Sequence, residues 1–416
     1  MLVSILTASV LMFYANFVFY NSSPVDVSQT SALQIQLQQN VPKAVVITSI
    51  ILYMSSFYFL LTTDEPDSRT HGLVLVIVIG VVALTQYAFV DFHSWILTRP
   101  IGGQTDEYLL QYLSAKSVID PTNPYIVNFT SAIANSVPSY YRTFYPINGT
   151  YAITNPFVHN IDYPAFSFLY YVPSAVLNVS GVYQDIAITT LTLGIVWYKS
   201  AKEIAWFVPL LFILDYTHIV FISSSITDAG WVAPIILSIV FRKHPIVSSI
   251  LMGLAVSYKE EAIIFLPFYL IYLYKEQGFE FIKKFGITLV ATAAVINIPF
   301  LLMNPSAFIR DILIPITAST QIGGVGLSGF TNYPRWVYTA LFSSSLFLGS
   351  LAYFKWFDKI RIGGLSALPM IALWLNTRSL QDYLVFFPLF SAVVLAMTWK
   401  NYSYHVPDET KAVITI

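Results

Sequence analysis

The stretch AFSFLYYVPSAVLN, residues 165–178, decides the topology of this chain. It is apolar but short, with Pro164 at its start and Pro173 within it. If it crosses a membrane, every lysine and arginine cluster that follows it lies outside. If it lies flat on the outer surface, all of them lie in the cytoplasm, where such residues are enriched. The sequence therefore predicts an interfacial helix at 165–178.

Apolar runs recur along the whole chain of 416 residues, of which 56% are hydrophobic and 10% are charged. Soluble domains carry about 25% charged residues, and the runs lack the alternation of β-barrel strands. We therefore predict an all-α polytopic membrane protein with about twelve transmembrane helices and a large outer loop containing juxtamembrane helices. The predicted spans are 2–20, 44–62, 73–90, 184–199, 203–222, 227–241, 245–257, 262–274, 285–303, 336–354, 362–376 and 383–399.

The charge pattern places both termini in the cytoplasm and the large loop 91–183, which holds the candidate active-site residues discussed below, on the extracytoplasmic side. The first span, 2–20, has no basic region before it, so we expect it to be retained rather than cleaved as a signal peptide. Three parts follow from this topology. Residues 1–72 form two N-terminal helices, residues 73–300 form the core with the outer loop 91–183, and residues 301–416 carry the outer loop 304–335 and the last helices.

Charge and cysteine content exclude several functions. A formal net charge of −1 argues against a nucleic-acid partner. The chain has no cysteine, which excludes disulfides, thiolate metal sites and a cysteine nucleophile. The partners expected from composition are therefore the lipid bilayer and substrates that reach it.

A carboxylate pair interrupts the lipid-like pattern in GGQTDEYLLQYLSAKSVIDPTNPY, residues 102–125. Asp106 and Glu107 follow the third span, and Tyr112 and Lys116 follow at helical spacing. One interpretation is a helix N-terminus, where acidic residues are favoured. The other is a general base that acts on an acceptor hydroxyl.

This arrangement of an apolar span, an outer-loop "DE", tyrosines and a closing "NPY" resembles the GT-C class of polytopic membrane glycosyltransferases. That class includes mannosyltransferases and aminoarabinose transferases that use polyprenyl-phosphate sugars. The resemblance implies that Asp106 is catalytic and that Glu107 is its acidic neighbour. It also implies that Tyr112 and Lys116 bind substrate. Residues 120–122 depart from the class, many members of which have a glycine there.

A second match is HNIDYPAFSFLYYVP, residues 159–173, which resembles the "YPPL" segment that begins a juxtamembrane helix in the same class. Tyr163 and Pro164 match this segment, whereas Ala165 replaces its second proline. The resemblance implies that His159, Asp162 and Tyr163 contact sugar or acceptor. Alternatively, Asp162 only caps the helix.

Charged residues recur between two short spans at Lys259, Glu260 and Glu261. Charges at membrane depth are costly and are therefore functional candidates. Lys259 is suited to a lipid phosphate, although it can also be a lysine whose ammonium reaches the interface. Glu260 and Glu261 are candidate substrate-binding residues, and either of them, with Asp106, could hold a divalent metal. No cofactor is certain, and the metal is left open.

Two arginines on the outer side complete the candidate site. Arg378 precedes the last span and has the planar donor fork that suits a phosphate, and Arg335 is a similar but less specific candidate. The glycine-rich stretch QIGGVGLSGF, residues 321–330, lacks the strand and helix of a phosphate loop. We interpret it as a lid over the donor site.

These features predict transfer of a sugar from a polyprenyl-phosphate donor to a glycan, lipid or protein acceptor, with Asp106 as general base and inversion at the anomeric carbon. The alternative is a multi-pass transporter of lipid-linked or small solutes, because short, broken apolar segments also occur in transporters. Paired halves with matching interruptions, which transporters usually show, are not found in the sequence.

Overall fold

The computed structural model describes most of the chain after residue 105. The first three predicted spans, His159 and the side chain of Asp106 lie outside the described residues. The described residues are 106–129, 160–202, 204–214, 218, 228–317, 323–324, 326–329, 331–379, 383–384 and 386–403.

Helices dominate the described residues, which confirms the all-α fold for this part of the chain. The strands described are two residues each, β1 (Gly323–Gly324) and β2 (Arg378–Ser379), and they pair in parallel. Short 3-10 turns cover Pro124–Ile126 and Leu327–Gly329. The helices are α1 (Asp106–Ile119), α2 (Phe166–Leu169), α3 (Val172–Val176), α4 (Gly181–Lys199), α5 (Phe207–Leu214), α6 (Ala229–Val240), α7 (Pro245–Val256), α8 (Glu260–Gln277), α9 (Phe279–Met303), α10 (Pro305–Thr317), α11 (Arg335–Lys355), α12 (Phe357–Trp374) and α13 (Phe387–Ser403).

Nine of the predicted spans overlap with helices, namely α4 to α9 and α11 to α13. In the described part, α9 and α11 are long and apolar enough to cross a membrane by themselves. Helices α6 and α7 have 12 residues each, which is about 18 Å of helix against a hydrocarbon core of about 30 Å. The count of twelve spans and the three-part division of the chain stay predictions.

The two long apolar helices have open outer faces. Only 17% of the apolar window of α9 and 11% of that of α11 is buried inside the protein. Val295 and Leu302 on α9 are 75% and 74% exposed. An apolar surface of this kind is unfavourable in water and favourable against lipid tails, so the exposure agrees with an integral membrane protein.

The segment 165–178 does not form one continuous helix. It forms α2 and α3, of four and five residues, with Pro173 in the first turn of α3, where proline is tolerated. Neither helix is long enough to cross a membrane. The Phe166 amide donates to the Ser257 carbonyl oxygen at 2.8 Å, and the Ala165 amide donates to Asn297 Oδ1 at 2.9 Å. The segment therefore lies against the end of α7 and against α9.

Two apolar clusters define two groups of packed helices, a large bundle and a smaller cap. The large cluster is built by α4 to α9 and α11 to α13. The smaller one joins α1, α2 and α10 to the end of α9, through the packed rings of Tyr125, Phe168 and Phe300. This cap places α1 over the junction between α7 and α8, where the charged residues meet.

Candidate functional site

Lys259 lies at the centre of the candidate site. Its backbone is extended and immediately precedes α8, and its side chain is 1% exposed. Its ammonium nitrogen is 3.0 Å from Glu107 Oε1 and 3.3 Å from Asp228 Oδ1. The nitrogen also lies 5.3 Å from the ring centre of Tyr383. Burial of an ammonium is expensive unless it is paired, and here two carboxylates pair it.

Glu107 reaches this site from the first turn of α1. Its side chain is 14% exposed, and Oε1 accepts a long hydrogen bond of 3.5 Å from Gln111 Nε2, one helical turn later. Gln111 Oε1 in turn accepts from the Tyr258 hydroxyl at 2.8 Å. Asp106 is the first residue of α1 and directly precedes Glu107. The backbone of Asp106 is therefore adjacent to the site.

Asp228 is a site residue that the sequence reasoning missed. It immediately precedes α6, is fully buried, and accepts from Trp231 Nε1 at 2.8 Å as well as from Lys259. The available signal was an acidic residue inside the predicted span 227–241, because a charge at membrane depth is costly. Gln111 and Tyr258 were also missed, since neither is charged.

Asp162 and Tyr163 lie within electrostatic reach of the same cluster. Burial raises the pKa of Tyr163 well above its ordinary value, and the charges of Glu107 and Asp162 raise it further. Lys259 acts on the pKa of Tyr163 in the opposite direction. The Tyr125 hydroxyl donates to the Tyr163 carbonyl oxygen at 2.8 Å, which ties this segment to the "NPY" turn.

Glu260 and Arg378 extend the site on its other side. Burial raises the pKa of Glu260, and the negative charge of Glu107 raises it further. The positive charges of Lys259 and Arg378 lower it. Lys259 and Arg378 therefore both lie within electrostatic reach of Glu260. Glu261 is fully buried, one residue further into α8.

The backbone of Arg378 pairs with the glycine-rich stretch, residues 321–330. Strand β1 pairs with β2 so that Gly323 lies opposite Arg378 and Gly324 lies opposite Ser379. The predicted lid and the predicted phosphate ligand are therefore adjacent in the fold. Arg335 begins α11, and none of the contacts described for the Lys259 cluster includes it.

Tyr112 and Lys116 lie on a different face of α1 from Glu107. The Tyr112 hydroxyl donates to the Val179 carbonyl oxygen at 3.1 Å, and the Lys116 ammonium lies 5.0 Å from the centre of the Tyr112 ring. Tyr108, on the same face, stacks on Tyr112 with ring centres 5.4 Å apart. The structure thus joins Tyr112 and Lys116 to the loop before α4 and not to Lys259.

The described residues do not form a metal centre. Within the part of the chain that the structure describes, no three acidic or histidine side chains are arranged to hold an ion. Glu107 and Asp228 converge, but on the Lys259 ammonium. A metal held by Glu260 or Glu261 with Asp106 stays a prediction, because the Asp106 side chain lies outside the described residues.

Comparison with known proteins gives one similarity. Neither a curated protein nor a solved structure matches the chain. A family model described as "ALG3 protein" matches residues 146–313, which is less than half of the chain and includes Asp162, Tyr163, Asp228 and Lys259. That family consists of mannosyltransferases of the endoplasmic reticulum membrane and of the GT-C class. The similarity supports a membrane glycosyltransferase.

Proposed function

We propose that the protein is a membrane mannosyltransferase that takes its sugar from a polyprenyl-phosphate donor at the extracytoplasmic face. The acceptor we favour is a hydroxyl group of a lipid-linked glycan, over a free lipid or a protein. The matched family uses lipid-linked oligosaccharide substrates, which supports this choice. The apolar faces of α9 and α11 would keep the site at the membrane, where both substrates are anchored.

The observation that carries the proposal is the contact of Lys259 with Glu107 and Asp228. These residues come from three separate parts of the chain, and Lys259 and Asp228 are buried where they meet. A buried ion pair is weak evidence for stability, since desolvation offsets the attraction. Charges kept at such a position are therefore functional candidates. The contact of Lys259 with Glu107 also brings the start of α1 to the segment that includes Lys259 and Glu260.

Asp106 would act as the general base. It would take the proton of the acceptor hydroxyl while the oxygen attacks the anomeric carbon. The bond from that carbon to the phosphate oxygen breaks, and the polyprenyl phosphate leaves with the electron pair. One displacement inverts the anomeric carbon. We assign the proton to Asp106 because the Glu107 carboxylate is engaged by Lys259, which makes Glu107 a positioning residue.

The leaving phosphate would be stabilised by Lys259 and Arg378 together. Two carboxylates already share the charge of Lys259, so Arg378 would supply most of the new attraction. A guanidinium binds phosphate through two parallel hydrogen bonds. Gly323 and Gly324, beside Arg378, have no side chains and allow a phosphate to approach the backbone closely. Arg335 would have a supporting role in donor binding.

The acceptor sugar would lie between α1 and the segment before α2. Asp162 and Tyr163 would contact it there, together with Glu260 and Glu261 in the first turn of α8. His159, which lies outside the described residues, stays a predicted contact. The raised pKa of Tyr163 keeps its phenol neutral, so it can donate a hydrogen bond to a sugar oxygen. Tyr112 and Lys116 would lie at the edge of this site, because their side chains face the loop before α4.

A transfer assay tests the proposed function. Purified protein in liposomes would receive polyprenyl-phosphate mannose and a lipid-linked oligosaccharide, and the anomeric configuration of the product would be determined. We expect transfer with inversion. Absence of transfer with any polyprenyl-phosphate sugar would overturn the proposal, and solute uptake by the same liposomes would then favour a transporter.

The proposed face of the membrane is tested by cysteine labelling, since the chain contains no cysteine. Asp120→Cys, just after α1, should react with an impermeant reagent from outside. Lys199→Cys, in the last turn of α4, should react only after the membrane is opened. Labelling of both from the same side would contradict the topology.

A further inference from the structure

Asn297 is a polar residue in the second half of α9, an apolar helix long enough to cross a membrane. Its Oδ1 accepts from the Ala165 amide at 2.9 Å. Its Nδ2 donates to Ser257 Oγ at 3.1 Å and to the Ala293 carbonyl oxygen, one turn earlier in α9, at 2.9 Å. An amide in apolar surroundings is costly unless it is hydrogen-bonded, and this one is bonded at both ends. None of these contacts has a place in the mechanism above.

Two backbone groups fix the orientation of this amide. The N–H group of Ala165 can only donate, and the carbonyl oxygen of Ala293 can only accept. If the Asn297 side chain turned over, its nitrogen would face the Ala165 N–H group and its oxygen would face the Ala293 carbonyl oxygen. Both hydrogen bonds would then be lost, so the orientation that presents Oδ1 to Ala165 is the favoured one.

The contacts of Asn297 join two segments that carry the candidate site. Ala165 lies two residues after Tyr163, which we place against the acceptor sugar. Ser257 lies two residues before Lys259, the centre of the ion-pair cluster. A single side chain in α9 therefore bridges the segment that would contact the acceptor and the end of α7 that leads to the buried cation.

The two bridged segments depend on this contact to different degrees. The Ser257 amide is hydrogen-bonded within α7, which keeps the end of that helix in place. Helix α2 has only four residues, and no side chain caps its start. So short a helix is not stable alone. It is held by the Ala165 amide on Asn297 and by the Phe166 amide on the Ser257 carbonyl oxygen. Loss of the Asn297 amide should therefore displace the segment of Tyr163 and leave α7 in place.

Ala165 is also the position at which this chain departs from the "YPPL" segment that it resembles. A proline has no amide hydrogen, so a proline here could not donate to Asn297. The φ angle of Ala165 is −63°, which a proline would also adopt. The backbone conformation therefore does not require the alanine, whereas the hydrogen bond to Asn297 does.

We propose that Asn297 is a positioning residue that acts through the Ala165 amide to hold the segment of Tyr163 on the acceptor side of the site. This proposal rests on the proposed glycosyl transfer. In this role Asn297 does not touch substrate. Its loss should raise KM for the acceptor and leave KM for the donor unchanged. The proposed donor ligands Lys259 and Arg378 are held by other contacts, namely the carboxylate pair and the pairing of β1 with β2.

Two variants remove the same hydrogen bond from its two sides. Asn297→Leu removes the acceptor and leaves an apolar side chain that suits α9, and Ala165→Pro removes the donor. Each should raise KM for the acceptor by about threefold to tenfold, the effect of one lost hydrogen bond. The double variant should raise it no further than the larger single effect, because the residues act as one contact. Additive effects, or an unchanged acceptor KM in either variant, would overturn the proposal.

Thr292→Val is the matched control, and KM separates positioning from a merely structural role. Thr292 donates to the Thr288 carbonyl oxygen at 2.8 Å within α9, and it packs on α7, where a Cβ atom on Gly253 would lie 2.7 Å from Thr292 Cβ. This variant should leave both KM values unchanged. A loss of folded protein lowers the apparent kcat and does not change KM. A rise of acceptor KM in Thr292→Val equal to that in Asn297→Leu would overturn the proposal.

Hydrogen–deuterium exchange gives an answer that does not depend on activity. The amides of residues 161–170 should exchange about threefold to tenfold faster in Asn297→Leu than in the wild type or in Thr292→Val, because local opening becomes easier. If the wild type transfers no sugar, the proposed function fails, and this faster exchange still supports the hold of Asn297 on the segment of Tyr163. Equal exchange in Asn297→Leu and the wild type would overturn the proposal even if transfer is observed.

Discussion

Removal of the Lys259 ammonium tests the buried ion pair most sharply. Lys259→Met keeps a side chain of similar length and leaves Asp228, which is fully buried, and Glu107, which is 14% exposed, without their shared cation. At 3.0 Å and 3.3 Å each attraction is roughly 5 kcal/mol for an effective dielectric constant of about 20, before desolvation is subtracted. Breaking one buried pair costs about 3–5 kcal/mol. We expect a loss in this range.

The assay is the free energy of unfolding in mixed micelles, followed by tryptophan fluorescence. Lys283→Met, which removes an exposed lysine on α9, should change it by less than about 1 kcal/mol. The double variant Lys259→Met with Asp228→Asn should recover part of the lost stability, because it also removes the buried negative charge of Asp228. Equal stability of Lys259→Met and Lys283→Met would refute the reasoning. So would a double variant that is less stable than Lys259→Met.

Three further predictions follow from the same geometry. A Cβ atom on Gly230 would lie 1.9 Å from the Tyr258 ring, so Gly230→Ala should lower the free energy of unfolding by about 1–3 kcal/mol. Arg378→Lys keeps the charge but loses the planar donor fork, and it should raise KM for the donor about tenfold, measured by varying the donor in the transfer assay. The pKa of Glu260 is raised in the folded protein, so above pH of about 4.5 the folded state holds a proton that the unfolded state has lost. The free energy of unfolding therefore falls as pH rises through this window, and Glu260→Gln should flatten that part of its pH profile.

The glycine prediction has a control in the same chain, and each of the three has an outcome that would contradict it. Nothing lies within 4 Å of a Cβ atom added to Gly194, so Gly194→Ala should be neutral or stabilising. Equal effects at the two glycines would contradict the close packing of the Tyr258 ring on α6. An unchanged donor KM in Arg378→Lys would place the phosphate elsewhere. A pH profile that is the same with and without the Glu260 carboxyl would show that Glu260 titrates normally.

The helical fold could be predicted from the sequence because it depends on local properties. Apolar runs and their basic flanks mark the helices, and α4 and α6 to α9 follow the predicted spans closely. The sequence predicted one interfacial helix over 165–178 and missed the break between α2 and α3, although Pro173 favours a helix start. Their position against Ser257 and Asn297 is a tertiary contact that no local pattern encodes.

The candidate site was predictable only in part, for the same reason. Glu107 and Lys259 were identified because charges in apolar surroundings are conspicuous, but their 3.0 Å contact joins residues far apart in the chain. Tyr112 was grouped with the carboxylates because it is near them in sequence. Residues four apart share a helix face, so Glu107 lies with Gln111, whereas Tyr112 lies with Tyr108 and faces Val179.

The central claim is that the carboxylate at the start of α1 removes the proton of the acceptor. The most direct test is kcat of Asp106→Asn in the transfer assay, with Asp120→Asn, an exposed acid just past the same helix, as the matched control. We predict that kcat falls by about 10²–10⁴ in Asp106→Asn, the usual contribution of a general base, and stays unchanged in Asp120→Asn. Equal turnover by Asp106→Asn and the wild type would contradict the account.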